Sequence, residues 1–358
     1  MLNFRIEPNT RPATVERRHE ILANPGFGKH FTDHMVSITW TAAEGWHDAR
    51  VEPYGPILMD PATSVLHYAQ EIFEGMKAYR HDDGSVWTFR PTANAQRFQR
   101  SAKRLALPEL PTDLFVESIR QLVNIDVEWV PSGGENSLYL RPFMFASEVF
   151  LGVRPSTEVR YMVIASPVGS YFSGGVHPVS IWLSSDYTRA AMGGTGAAKC
   201  GGNYAAGLAA QIEATERGCD QVVFVDAEEH KWVEELGGMN LWFVHADGRL
   251  VTPQTSGTIL EGVTRSSILQ LGAEFGLKVE ERQISIDEWK TGVASGEIKE
   301  VFACGTAAVV TPVGRLVWRD GEVGSGTAGE FTMRLRKKLI DIQYGRDADA
   351  HHWLHQLV

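Results

Sequence analysis

Apolar residues recur at every second position through VSITWTA (36–42), and RVEPYGPILMD (50–60) follows in the same style, so both stretches predict strands. Residues 1 to about 35 are polar and mixed, which predicts an arm laid over the surface. Ser64 to Gly75 has helical spacing, with Leu66, Ala69 and Phe73 on one face and Gly75 as the stop. GMKAYR and SVWTFRP flank Asp82-Asp83-Gly84, a hairpin signal. Pro91 opens a predicted helix through Ala93, Arg97, Arg100 and Arg104 that ends before Pro108. A second predicted helix carries Phe115, Ile119, Leu122 and Val123 on one face, until Pro131-Ser132-Gly133-Gly134 breaks it. SLYLRPFMFA (137–146) and RYMVIASPV (160–168) return to strands, and Tyr139 and Arg141 fall on the same face of the first.

The segment 167–178 is rich in Gly, Pro and Ser and predicts the join between a smaller domain, 1–166, and a larger one, 179–358. Beyond it VSIWLSS leads into a glycine-rich stretch. A predicted helix follows, with Ala205, Leu208, Ala209 and Ile212 as its apolar face and Gly218 as its end. QVVFVD reads as a buried strand, and KWVEELGG, MNLWFVHA and RLVTP continue the pattern around Asp247-Gly248. Leu260 to Thr264 leads into a helix through Ile268, Leu271 and Phe275. VEERQISI predicts a strand, VFACGTAAVVTPV a strand-to-turn junction, and Thr332–Ile342 a final helix.

Composition changes this picture little. With 43% apolar and 22% charged residues in 358, the chain is that of an ordinary globular protein large enough for two cores. A formal net charge of −10 without basic runs argues against nucleic-acid or anionic-membrane partners. The expected setting is the cytoplasm, since there is no secretory h-region and no bilayer-length apolar run, and three cysteines show no CxxC spacing. His30/His34 and His351/His355 have helical metal spacing but no third ligand nearby, so no metal is expected.

Chemistry concentrates at GGTGAAKCGGNY (193–204), where five glycines surround Lys199. Small neighbours admit something wide and flat, and a poorly solvated lysine becomes a nucleophile suited to an aldehyde cofactor. Lys77 is a rival, without a close-approach surface around it. Arginines 90, 97, 100 and 104 put several cations on one side of a helix, and arginine grips phosphate in a bidentate fork. Of Glu234 and Glu235, one must point inward from a strand. The helix start at 262–264 and the Gly305-Thr306-Ala307 turn are anion sites. Tyr171 is a lone tyrosine in the 167–178 segment. Together these are the parts of a pyridoxal phosphate site.

GGTGAAKCGGNYA, YAQEIFEGMKAYR, FRPTANAQRFQRSAKRLALP, YLRPFMF, EELGGMNLWF, LEGVTR, GTAAVVTP and DIQYGR, in that spacing over roughly residues 18 to 345, resemble the branched-chain amino-acid aminotransferases. The resemblance implies a mixed α+β and α/β, two-domain fold of fold-type IV, the D-amino-acid aminotransferase-like class, with pyridoxal 5'-phosphate as cofactor. It implies that Lys199 is the Schiff-base lysine and proton shuttle, that Glu235 faces the pyridine nitrogen, and that Tyr204 binds the 3'-oxygen. Arg97, Val263, Thr264 and Thr306 match the phosphate ligands, Val263 and Thr264 mainly through backbone N–H. Tyr68, Tyr139, Arg141, Tyr171, Thr306 and Ala307 match the substrate pocket, while Leu151 and Val153 match residues lent by the second subunit of a homodimer. The implied substrates are leucine, isoleucine or valine with 2-oxoglutarate, giving branched 2-oxo acids and glutamate. A fold-type IV lyase of the aminodeoxychorismate lyase kind and a D-amino-acid aminotransferase are the alternatives. Two departures stand out. Ala308 and Thr311 occupy the positions of the mammalian redox CxxC, so no thiol switch is expected there, and Gly238 replaces a threonine.

Overall fold

The computed structural model describes residues 2–170 and 175–358. The chain forms two compact units. The first comprises Met1–Ser173, Ala198–Gly201 and Asp341–Val358, and the second Gly174–Ala197 and Gly202–Ile340. A domain division drawn from a single linker differs at two places. Four residues around Lys199 belong with the first unit, and so do the last eighteen, because Leu354–Gln356 pairs antiparallel with a strand of the first sheet.

In the first unit the polar arm itself carries β1 (Arg5–Ile6) and α1 (Val15–Ala23), the latter started by the Thr14 side chain accepting from Arg17 N–H. The alternating stretch becomes β2 (His34–Thr41), which pairs antiparallel with β3 (Gly45–Pro53). The strand expected over 50–60 therefore stops at Pro53, which cannot donate to a ladder.

Ser64–Gly75 departs further from its sequence reading. Helix α2 covers only Val65–Tyr68 and ends in a left-handed Ala69, after which β4 (Glu71–Phe73) pairs antiparallel with β7 (Ser137–Ala146). Leu66, expected to face a core, is 57% exposed. The ladder with β7 outweighs the helical pattern, a tertiary preference that local spacing does not encode.

The hairpin forms as expected from β5 (Met76–Arg80) and β6 (Val86–Phe89). Together with β8 (Glu158–Val168) these strands build one sheet in the order β1-β3-β2-β8-β7-β5-β6 followed by Leu354–Gln356, with β4 set on β7. Helices α3 (Pro91–Arg104) and α4 (Thr112–Ile125) supply Phe98, Phe115, Ile119, Leu122 and Val123 to a core shared with Val36, Ile38, Leu138 and Val163 of the sheet.

The second unit holds β9 (Val179–Leu183), α5 (Gly201–Ala206), α6 (Leu208–Glu216), β10 (Gln221–Val225), β11 (Val233–Leu236), β12 (Asn240–His245) and β13 (Arg249–Thr252). It continues with α7 (Val263–Glu274), β14 (Lys278–Glu281), α8 (Ile286–Ser295), β15 (Ile298–Gly305), β16 (Val309–Trp318), β17 (Gly321–Val323) and α9 (Glu330–Gln343). The strand order β11-β10-β9-β16-β15-β12 returns on itself because Glu235 of β11 pairs with Asn240 of β12. That closure makes a barrel-like ring, with β13 and β14 continuing from β12.

Two expectations fail in this unit. VEERQISI is not one strand. β14 stops at Glu281, and the Ser285 side chain caps α8 by accepting from Glu288 N–H. Helix α6 also turns the opposite way, burying Ala210 and Ala214 against Trp182 and Phe224 while Leu208 and Ile212 are 61% and 62% exposed. Among the described residues no helix is long and apolar enough to cross a membrane.

Candidate active site

In the first unit three backbone bonds fix the lysine segment. Phe73 N–H donates to the Lys199 carbonyl at 2.9 Å, Lys199 N–H donates to Ser101 Oγ at 2.9 Å, and Gly201 N–H donates to the Glu71 carboxylate. A Cβ at position 201 would crowd the Glu71 carboxylate. The Lys199 ammonium is disfavoured by burial and then by the Arg97 guanidinium, so its pKa falls to about 8 against the pull of Glu74 and Tyr139. Its Nζ lies 4.9 Å from the centre of the Phe73 ring. Burial raises the Glu71 carboxyl, with the Gly201 bond opposing. Lys77 is also buried, in β5, so burial alone does not separate the two lysines.

Of the four arginines on the α3 side, Arg97 is buried, Arg90 is half-buried, and Arg100 and Arg104 are exposed. Arg97 directs part of its fork at protein. Its Nε and Nη2 each donate to the Glu74 carboxylate at 2.7 Å, and Asn94 Nδ2 donates to the same group at 2.9 Å. Arg97, Asn94 and the nearby Lys199 hold the Glu74 carboxyl below its ordinary value although burial pushes the other way.

Tyr139 and Arg141 lie on one face of β7, and Arg141 Nη2 donates to Tyr139 Oη at 3.0 Å. The Arg141 guanidinium also sits over the Phe73 ring at 4.8 Å. Gly75 lies beneath the Tyr139 hydroxyl, which a Cβ would approach to 2.2 Å. Tyr68, at the end of α2, is 40% exposed and donates to the Leu151 carbonyl. Leu151 and Val153 are 59% and 86% exposed. Tyr171 lies outside the described residues.

In the second unit Glu235 is buried in β11, where its Oε1 accepts from Leu260 N–H at 2.8 Å and pairs with Arg189 Nη1 at 3.0 Å. Arg189, itself buried, also donates to the Thr258 carbonyl at 2.8 Å. Glu234 points to the other side of the strand yet is not solvated. β11 is buried on both faces, and burial raises the Glu234 carboxyl, with the Thr258 hydroxyl and the Arg189 charge opposing.

The glycine-rich stretch approaches backbone closely here as well, since a Cβ on Gly196 would lie 2.3 Å from the Thr258 carbonyl. Tyr204 sits in α5, and a Cβ on Gly238 would meet its ring at 3.5 Å.

Helix α7 begins at Gly262 with no side-chain cap, so its first-turn amides, those of Val263 and Thr264, face an anion-favouring end. Asn240 Oδ1 would meet a Cβ on Gly262 at 2.1 Å. Thr306 and Ala307 lie half-buried in the turn from β15 to β16. Behind that turn Val309 adopts φ 62°, an uncommon value for a β-branched residue, and Arg336 Nη1 donates to the Ala308 carbonyl at 2.8 Å. Burial pushes the Cys304 thiol up to about 12 while Trp242 Nε1 donates to its sulfur.

His34 proves buried in β2, its Nδ1 2.7 Å from Asp126 and its Nε2 accepting from Asn9 N–H, so it is not a solvated histidine. Among the described residues no group of three His, Cys, Asp or Glu side chains could hold a metal.

Sequence reasoning missed Glu71, Glu74, Ser101, Arg189, Asn240 and Arg336. A signal existed for the first two, which are carboxylates spaced through the otherwise apolar QEIFEGM. The others lie in patterns that solvated residues share.

Residues 71–316 match the family described as Amino-transferase class IV. A branched-chain-amino-acid aminotransferase from Mycolicibacterium smegmatis is 60% identical over 99% of this chain and 98% of its own length. A solved branched-chain amino acid aminotransferase with pyridoxamine 5'-phosphate superposes with a TM-score of 0.75 at 30% identity, covering 90% of this chain and 99% of that one. The solved branched-chain amino acid aminotransferase of Escherichia coli gives 0.74 at 28% identity, covering 90% of this chain and 100% of that one. A mixed α/β fold with a barrel-like ring, eight ordered motifs and this near-full-length identity lead to one conclusion: the chain belongs to the class IV aminotransferases.

Proposed function

We propose that the chain is a pyridoxal 5'-phosphate-dependent branched-chain-amino-acid aminotransferase, exchanging amino groups between leucine, isoleucine or valine and 2-oxoglutarate. The observation that carries this reading is Lys199, an amine brought to about 8 by burial and held by three backbone bonds next to Arg97, Arg141 and Tyr139. The donor set suits a flat aldehyde bearing a phosphate. It has one amine able to lose its proton near neutrality, one buried carboxylate paired with Arg189, and a helix start without a side-chain cap.

When bound, pyridoxal phosphate supplies the aldehyde carbon and a protonated ring that takes up the electron pair left at substrate Cα. Lys199 would hold the aldehyde carbon through Nζ with loss of water, and, once the substrate amine has displaced it, its free amine would move the proton at substrate Cα. Glu235 would hold the ring nitrogen's proton, and Tyr204 would bind the 3'-oxygen. Arg97, the Val263 and Thr264 amides and Thr306 would hold the phosphate.

Tyr68, Tyr139, Arg141, Tyr171, Thr306 and Ala307 form the substrate pocket. Aromatic side chains suit an isobutyl group, and the Arg141 guanidinium suits a carboxylate, the one that leucine and glutamate share. Leu151 and Val153 serve the site of a second copy in a homodimer, a role that their exposure favours, as does the apolar stripe of Leu208 and Ile212. The enzyme works in the cytoplasm, where its three buried cysteines stay reduced. The names of the relatives do not favour the lyase or the D-amino-acid reading.

A survey of amino donors with 2-oxoglutarate tests the proposal. Glutamate should form from L-leucine, L-isoleucine and L-valine, with bleaching of the yellow protein on adding L-leucine alone. Turnover of D-amino acids only, or C–C cleavage without glutamate, would overturn it.

A further inference from the structure

Glu74 is completely buried, and its setting is not explained by any role given above. Its two oxygens receive Arg97 Nε and Nη2 at 2.7 Å each and Asn94 Nδ2 at 2.9 Å. A fully buried carboxylate is costly unless it is paired and hydrogen-bonded, and here it is both. Its chain neighbour Phe73 bonds the Lys199 carbonyl, so the carboxylate stands at the base of the lysine segment. Arg97, Glu74, Tyr139 and Arg141 all act on the charge of Lys199, and Glu74 acts on it as a carboxylate.

We propose that Glu74 is a positioning residue: its carboxylate locks the Arg97 fork in one orientation and keeps a negative charge beside Arg97 and Lys199. The physical reason is geometric. An arginine side chain has several freely rotating bonds, and a bidentate carboxylate fixes both the plane and the direction of the guanidinium before any ligand arrives. With Nε and Nη2 so held, how Arg97 meets an incoming phosphate depends on Glu74. The same carboxylate opposes the effect of Arg97 on the lysine, so removing it leaves Lys199 next to an uncompensated cation. The inference rests on Arg97 being a phosphate ligand, as proposed above.

The test compares Glu74→Gln, Glu74→Asp and Arg97→Met in the full-length protein, reading two quantities. One is the ratio of affinities for pyridoxal 5'-phosphate and for pyridoxal, which lacks the phosphate. The other is the pH midpoint at which Lys199 is acetylated in cofactor-free protein, mapped by mass spectrometry. Glu74→Gln should reduce the affinity ratio by about 10- to 100-fold, the effect of a misdirected charged donor, and should move the Lys199 midpoint below about 8. Glu74→Asp, which restores the charge, should return the midpoint towards the parent value. Where Arg97→Met lowers the ratio, a parent-like ratio in Glu74→Gln overturns the proposal even if the midpoint moves.

If Arg97→Met itself leaves the ratio unchanged, the phosphate assignment of Arg97 fails. The lock then stands on the midpoint alone, supported by a downward move in Glu74→Gln and overturned by none. Should Glu74→Gln not fold, the double variant Glu74→Gln/Arg97→Met, which buries neither charge, replaces it. A ratio equal to that of Arg97→Met alone supports the proposal, and a further tenfold loss overturns it.

Discussion

Lys199 and Glu235 are both ionisable groups removed from water, and their surroundings treat charge in opposite ways. Around Lys199 burial disfavours the ammonium most and the Arg97 and Arg141 guanidiniums add to it, against Glu74 and Tyr139, so the amine appears near pH 8. Around Glu235 a buried arginine at 3.0 Å and a backbone N–H at 2.8 Å meet one oxygen, so the anion is matched. In the proposed reaction the first group changes protonation state, whereas the second keeps one state. Burial sets the direction at Lys199 and its neighbours adjust it, whereas at Glu235 the paired arginine and the backbone N–H meet the carboxylate that burial alone would penalise.

Deleting the lysine breaks the comparison most severely. Lys199→Ala should lower transamination by about four orders of magnitude or more, since nucleophile and proton carrier vanish together. Borohydride fixation of the cofactor that maps to Lys77 instead would transfer the role. Removing the arginine from the other region comes next. Arg189→Met leaves a buried carboxylate without its cation and should cost about 3–5 kcal/mol in denaturant unfolding. An unchanged midpoint would mean that Leu260 N–H alone suffices.

Glu235→Gln keeps the shape and removes the charge. It should leave the fold intact and slow Cα deprotonation by about a hundredfold, visible as a solvent-exchange rate of leucine Cα–H. The pH behaviour of Lys199 sharpens the contrast further. Its folded value lies below the 10.5 of an ordinary lysine, so between about 8 and 10.5 the unfolded chain binds more protons and stability rises with pH. Amine reactivity in the cofactor-free protein should climb through about pH 8. A midpoint near 10.5 would show the pocket to be wet. The smallest effect belongs to Glu234→Gln, which should change kcat less than about threefold. Burial favours the protonated form of Glu234, so glutamine there replaces a group already pushed towards neutrality. An effect equal to that of Glu235→Gln would reverse the assignment of the two carboxylates.

Much of the architecture was legible before any coordinates. The hairpin around Asp82-Asp83-Gly84, the start of α3 at Pro91 and the shared face of Tyr139 and Arg141 follow from turn chemistry, ring geometry and strand period. QEIFEGM shows where such reasoning stops. Its apolar spacing fits a helix, yet the segment is β4, because pairing with β7 and with the lysine segment satisfies backbone groups that a surface helix would satisfy by itself. Helix α6 shows a second limit. A stripe of Ala205, Leu208, Ala209 and Ile212 announces one apolar face, but a helix with small residues on its other side buries that side instead when a flat aromatic floor is offered by Trp182 and Phe224.

The sequence alone determined the family, the lysine and the order of the parts, because eight short motifs in fixed spacing carry that information without reference to space. What surrounds each charge was decided by tertiary structure. Glu74 facing Arg97, Arg189 facing Glu235 and Arg336 behind the 305–309 turn join residues 23, 46 and 28 positions apart. No local period relates such pairs. Only folding removes the water that would otherwise make each charge independent of its neighbours.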